Sequence, residues 1–139
     1  MINEKIVLVT DSNTKRTEAS ISDRNLEGNN SIATQKISNA IKNCCKEFQM
    51  YTKIEDFVDN IKQHKNDLIF PMKYGKNTPD SKSIIPGICE GMNMRYIGAD
   101  DYTHMICNDK YTSKLFAKQF GIKSAPCFLV RNFDNKEYV

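Results

Sequence analysis

Ile6-Val7-Leu8-Val9, running into Thr10 and Asp11, decides the class of fold. A short continuous apolar run reads as a strand buried on both faces, the kind parallel sheets contain. Working outward, residues 11–31 are polar, rich in Ser, Thr, Asn, Arg and Lys. A loop that long in a compact domain is functional or mobile, and it is expected to order poorly without a ligand. From Ile32 the period changes. Ala33, Ile37, Ala40, Ile41, Cys44 and Phe48 recur at three and four, which predicts an amphipathic helix with Ser31 as its cap and a short strand near Met50-Tyr51.

Ile54, Phe57, Val58 and Ile61 make a second helical stripe, and Asp67-Leu68-Ile69-Phe70-Pro71 reads as a strand ended by its proline. Ile84, Ile85, Ile88 and Met92 predict a third helix, with Pro86 tolerated in its first turn. Arg95-Tyr96-Ile97 is a strand closed by Gly98. Helical pieces follow over about 100–106 and 109–120, with Gly121 as C-terminal cap and Pro126 a few residues on. Cys127-Phe128-Leu129-Val130 is expected to open a last strand.

Strands alternating with helices at this spacing predict an α/β domain: a mostly parallel, Rossmann-like sheet of about four strands with helices on both faces. Ligands of such sheets sit beyond the carboxyl ends of the strands. The candidate site therefore falls on residues 11–20, 72–80 and 98–101.

Composition bounds the alternatives. The 139 residues suit one domain, which at this length buries about 68–70% of its unfolded surface. Hydrophobic content of 40% and charged content of 27% are globular values. Twenty basic residues interleave with seventeen acidic ones for a net charge of +3, without the dense Lys/Arg stripe of a nucleic-acid binder. No apolar run approaches the roughly 20 residues of a membrane span, and the first residues lack a signal-peptide pattern. A cytoplasmic protein with neither nucleic-acid nor membrane partners is expected.

Five cysteines form no Cys-x-x-Cys pair, and their odd count argues against a disulfide framework. His64 and His104 stand too far apart to suggest a zinc site with them. Cys44 and Cys89 fall on apolar helical stripes and are expected to be small buried hydrophobes. Cys127 follows a proline at the start of the expected last strand. The fingerprints of dinucleotide-binding, P-loop and nucleophile-elbow sites are all absent.

Longer stretches carry a resemblance. Phe70-Pro71-Met72-Lys73-Tyr74-Gly75, Ile85-Pro86-Gly87-Ile88-Cys89-Glu90-Gly91-Met92 and Arg95-Tyr96-Ile97-Gly98-Ala99-Asp100 resemble the N-terminal, pre-ATP-grasp domain of D-alanine–D-alanine ligases. Cys107-Asn108-Asp109-Lys110-Tyr111-Thr112-Ser113-Lys114, with Phe120-Gly121-Ile122-Lys123-Ser124-Ala125-Pro126, is similar to the Asp-Lys helix leading into the ATP-grasp module. Arg16-Thr17-Glu18-Ala19-Ser20-Ile21 resembles the family's Glu-x-Ser loop. The matching order spans about residues 5–130. The resemblance implies a pre-ATP-grasp domain over 1–123 and the start of the ATP-grasp central domain over 124–139.

What the resemblance implies chemically is an ATP-dependent carboxylate–amine ligase that works through an acylphosphate. ATP and Mg²⁺ would serve the complete enzyme, and the fragment alone would be inactive and hold neither tightly. Lys110 matches the lysine that reaches the ATP phosphates. Glu18 matches the acidic residue that meets the substrate ammonium, a charge-assisted contact. Ser20 would support it, and Tyr74 stands with Gly75 where the family has His-Gly. The family's Gly-Glu-Asp-Gly becomes Thr78-Pro79-Asp80-Ser81, so a divergent ligase acting on another carboxylate or amino acid is favoured. The substrate is expected to be a small amino acid or carboxylate, and a homodimer is left open.

Two other readings stand beside this one. A non-catalytic α/β ligand-binding or regulatory module could keep the fold without the chemistry. A response-regulator-like domain is disfavoured because Asp11 stands alone after the first strand.

Overall fold

β1, Ile2–Thr10, is the central strand, and from Ile6 to Thr10 it is buried on both faces. The computed structural model describes residues 1–10, 31–72 and 81–129. Within them follow α1 (Ser31–Cys44), β2 (Cys45–Tyr51), α2 (Ile54–Asp59), a 3-10 turn (Ile61–His64) and β3 (Leu68–Met72). A second 3-10 turn at Ser81–Ser83 leads into α3 (Ile84–Gly91), then β4 (Arg95–Tyr96), α4 (Asp101–Asn108) and α5 (Lys110–Gln119).

The four strands form one all-parallel sheet in the order β2-β1-β3-β4. The expected α/β class and parallel pairing are both found. Alternation along β1 divides the core. Ile6 and Leu8 face α1, meeting Ile37, Ile41 and Met72. Val7 and Val9 face the other way, where α2 supplies Phe57 and α3 supplies Ile85 and Cys89. Helices thus cover both faces.

Several local expectations are corrected. α1 ends at Cys44 and β2 begins at the next residue, so Phe48 belongs to a strand rather than to the helical stripe. Pairing with β1 takes this segment into the ladder, and it leaves Cys44 exposed. The strand at Tyr51 is correspondingly longer than two residues. Val58 and Ile84 are exposed, because the inward lines are Phe57 with Ile61 and Ile85 with Cys89.

Pro71 does not end β3 but pairs with Val9. Ile69 accepts a hydrogen bond from the Ile97 N–H on the β4 side. In a parallel strand the backbone of alternate residues faces the same neighbour, so the missing Pro71 N–H would also point that way. There β4 has already stopped at Tyr96, and no ladder bond is lost. Residues 127–129 form no strand. Just before them Lys114 Nζ of α5 donates to the Ala125 carbonyl at 3.3 Å, and no strand among the described residues pairs with them.

A buried polar chain crosses the α2 face. His64 is wholly buried and stacks on Phe57 with ring centroids 6.5 Å apart. Its Nδ1 lies 2.8 Å from the Asp67 carboxylate and its Nε2 2.8 Å from the Tyr51 hydroxyl. Hydrogen bonding is complete when Nδ1–H donates to Asp67, Nε2 accepts from Tyr51 O–H, and the Gln49 amide donates to the tyrosine oxygen. Lys5 lies 3.8 Å from the same aspartate. No helix among the described residues is long and apolar enough to cross a membrane.

Candidate functional site

The sheet order places the site. The chain leaves β1 for β2 on one side and returns to β3 on the other, so the connections diverge at the carboxyl ends of β1 and β3. A crevice at such a reversal is where open parallel sheets bind ligands. Thr10 ends β1 opposite Met72, which ends β3. Residues 11–30 continue from the first, and residues 73–80 from the second. On the β4 side the chain turns through Gly98, whose φ of +120° only glycine adopts readily, into the start of α4.

Two aspartates organise the helices beyond β4. Asp100 caps α4, its carboxylate accepting from the Thr103 N–H at 2.7 Å. Asp109 caps α5, accepting from the N–H groups of Tyr111 and Thr112 and from the Thr112 hydroxyl. The hydrogen bonds from Thr103 and Thr112 hold these carboxyls below the usual carboxylate range. Nearby, the Tyr96 hydroxyl donates to the Glu90 carboxylate, and that bond pushes the phenol up to about 12.

The far end of α5 is closed as firmly. The Gly121 N–H bonds to the Lys118 carbonyl and the Ile122 N–H to the Ala117 carbonyl. With Gly121 at φ +71°, this is a Schellman motif, and Gly121 is the cap expected from the sequence. Asn93, at φ 51°, ends α3 in the same way. Between α5 and residues 121–127 runs an open groove of about 610 Å³ lined by Lys114, Lys118, Lys123, Leu115 and Ile122.

Of the residues singled out from sequence, Lys110 is placed. It begins α5, is exposed, and its Nζ donates to the Cys107 carbonyl at 3.3 Å. Its neighbour Asp109 is occupied by the helix cap. Glu18, Ser20 and Tyr74 lie outside the described residues, as does most of the polar stretch 11–31; Ser31 itself is the first residue of α1. No group of three His, Cys, Asp or Glu side chains gathers among the described residues as a metal site.

Sequence reasoning passed over two features. One is the buried His64 chain; the signal was Asp67 three residues after a histidine, a spacing common by chance. The other is a pair of buried hydroxyls, Thr10 and Thr34, which have no hydrogen-bond partner among the described residues. Thr10 closes the very run that decided the fold.

No family model matches the chain. It is similar to the D-alanine–D-alanine ligase of Coprothermobacter proteolyticus, with 36% identity over 78 residues, or 56% of this chain and 25% of that protein. It is also similar to the vancomycin C-type resistance protein VanC1 of Enterococcus gallinarum, with 31% identity over 94 residues, or 68% of this chain and 26% of that protein. The matched stretch spans about a quarter of each relative's length. Both support a relationship to D-alanine–D-alanine ligase-like proteins.

Proposed function

We propose that this chain is the substrate-side, pre-ATP-grasp domain of an ATP-dependent carboxylate–amine ligase. Residues 1–123 form that domain and residues 124–139 begin the ATP-grasp central domain. The observation that carries the reading is the pair of ligase-like relatives, matched by a chain whose parallel sheet ends β1 at Thr10 beside Met72 of β3, the edge at which such sheets bind ligands. The apolar residues that α5 leaves in solvent, Leu115, Phe116 and Phe120, suit a helix covered by a further domain.

In this reading Glu18 accepts the substrate ammonium, Ser20 and Tyr74 are further substrate-binding residues, and Lys110 meets the phosphates of ATP. ATP bound with Mg²⁺ supplies the phosphoryl group that activates the carboxylate. The domain's own work is to bind the amino acid and hold it in position. Lys110 alone cannot bind nucleotide. An exposed charge contact stabilises by about 0.2–1 kcal/mol, against roughly 8 kcal/mol for micromolar binding.

Calorimetry on the 139-residue protein tests the reading. D-alanine is expected to bind weakly and to lose affinity in Glu18→Gln, which keeps the size of the side chain and removes its charge, with the melting temperature unchanged. ATP with Mg²⁺ is expected to show neither micromolar binding nor turnover. Tight Mg²⁺-dependent ATP binding, or D-alanine binding equal in Glu18→Gln, would overturn it.

A further inference from the structure

The two unpartnered hydroxyls are costly to the fold. Thr10 is wholly buried and Thr34 is 5% exposed, and neither Oγ1 has a hydrogen-bond partner among the described residues. A buried hydroxyl left unpaired forfeits its hydrogen bonds with water, whereas a valine of the same shape would lose nothing. Buried polar atoms without partners are few in folded proteins and mark places where something other than packing is at work.

Their placement is specific. Alternation puts Thr10 on the face of β1 that carries Ile6 and Leu8, which is the face α1 covers. On α1 the buried line is Thr34, Ser38 and Ile41. The helix starts after the carboxyl end of β1 and delivers the chain to Cys45, which pairs with Ile2 at the opposite end. α1 therefore runs against β1, and Thr34, in its first turn, lies at the level where β1 ends. Ser38, one turn along, satisfies its own hydroxyl on the Gln35 carbonyl at 3.0 Å. Among the described residues the unpaired buried hydroxyls lie at the carboxyl end of β1, the end at which such sheets bind ligands.

The start of α1 carries the positive end of a helix dipole. α1 has 14 residues and no acidic side chain in its first turn, so no carboxylate of its own offsets the positive end of its dipole. Both hydroxyls are already withdrawn from water, so a bond formed with them meets little competition from solvent.

We propose that Thr10 and Thr34 are binding residues for an anionic oxygen, that of a carboxylate or a phosphate, at the β1–α1 end of the crevice. Both hydroxyls donate to it, and the start of α1 adds its dipole. The choice of D-alanine as one probe rests on the ligase-like reading; the site itself does not.

The test is a methyl and amide NMR titration of the 139-residue protein with D-alanine, acetate and inorganic phosphate, with methylammonium as a cation control. The threonine signals at 10 and 34 are expected to shift with at least one oxyanion and not with methylammonium. Thr10→Val and Thr34→Val should each weaken that binding about tenfold, the scale of one lost hydrogen bond, while the melting temperature holds or rises. Thr10→Ser and Thr34→Ser, which keep the hydroxyl, should bind close to the parent.

The absence of threonine shifts with every oxyanion would overturn the proposal. So would valine variants that bind like the parent, or that melt earlier while the serine variants do not, since the hydroxyls would then serve the fold. Threonine-dependent phosphate or acetate binding without D-alanine binding would leave this site standing and count against D-alanine as the substrate. D-alanine binding that ignores both threonines would do the reverse.

Discussion

The half of the molecule up to Met94 and the half beyond it are held together by different means. In the first, β1 and β3 are enclosed between α1 on one face and α2 with α3 on the other, and every buried residue of the described chain lies there. In the second, α4, α5 and residues 122–129 bury no side chain, and Tyr102, Phe116, Phe120, Ile122 and Phe128 stand in solvent. Helices of eight and ten residues are marginal in water by themselves. These two rely on local devices: aspartate caps at their starts and the Schellman turn at Gly121. A chain can therefore specify a helix by its ends while that helix buries none of its side chains.

Thiol chemistry should draw this contrast most sharply. Cys107 and Cys127 are exposed in the second half, and so is Cys44 at the end of α1, whereas Cys45 and Cys89 are buried. Burial, with the Glu90 charge adding to it, pushes the Cys89 thiol up to about 11, so little thiolate is present at neutral pH. A disulfide reagent at pH 8 is expected to label three cysteines at once and the remaining two only as the protein unfolds. Mass spectrometry finding Cys89 labelled as fast as Cys107 would erase the distinction.

Stability mutations should follow the same division. Phe57 is wholly buried against Tyr51 and His64, and Phe57→Ala is expected to cost about 3–5 kcal/mol in urea unfolding. His64→Phe keeps a ring beside Phe57 but leaves the Tyr51 hydroxyl without its acceptor and Asp67 without its donor. A loss of roughly 1–3 kcal/mol is expected, and an unchanged midpoint would show that the polar chain contributes little to the fold.

Alkaline pH acts on the fold through Cys89 in the first half and Tyr96 just past its end. Cys89 goes from 9.0 to about 11 on folding, and Tyr96 from 10.0 to about 12. Between these values the folded protein holds protons that the unfolded chain has released, so stability falls as pH rises. The contribution is complete below about pH 9 and is lost progressively between about pH 9 and 12. Thermal melts that stay level across that window would contradict the assignment.

The smallest effect belongs to the second half. Phe120 is 69% exposed, with its ring 5.3 Å from that of Phe116. Phe120→Ala is expected to change unfolding free energy by less than about 0.5 kcal/mol. A loss comparable to that of Phe57→Ala would mean that α5 belongs to the same cooperative core.

Sequence by itself determined the elements whose pattern is local. Ile6 to Val9 could only be a strand with both faces covered, Pro86 fitted a first helical turn, and Gly121 marked a helix end, because each depends on neighbours within a few residues. The parallel α/β class followed from the alternation of such elements. Tertiary structure decided what depends on distant partners. Pairing with β1 drew residues 45–48 out of a helical period and into a strand, and the early end of β4 let Pro71 remain in a sheet. Which cysteine of two helical stripes is buried was settled by packing: Cys89 faces Val7 and Val9, while Cys44 ends a helix in solvent. His64 found its partners at 51 and 67 only once β2 and β3 had been brought to the same sheet. Thr10 and Thr34 carry no sequence signal at all, since an ordinary threonine becomes an unpaired buried hydroxyl only when a strand end and an antiparallel helix start are closed over it.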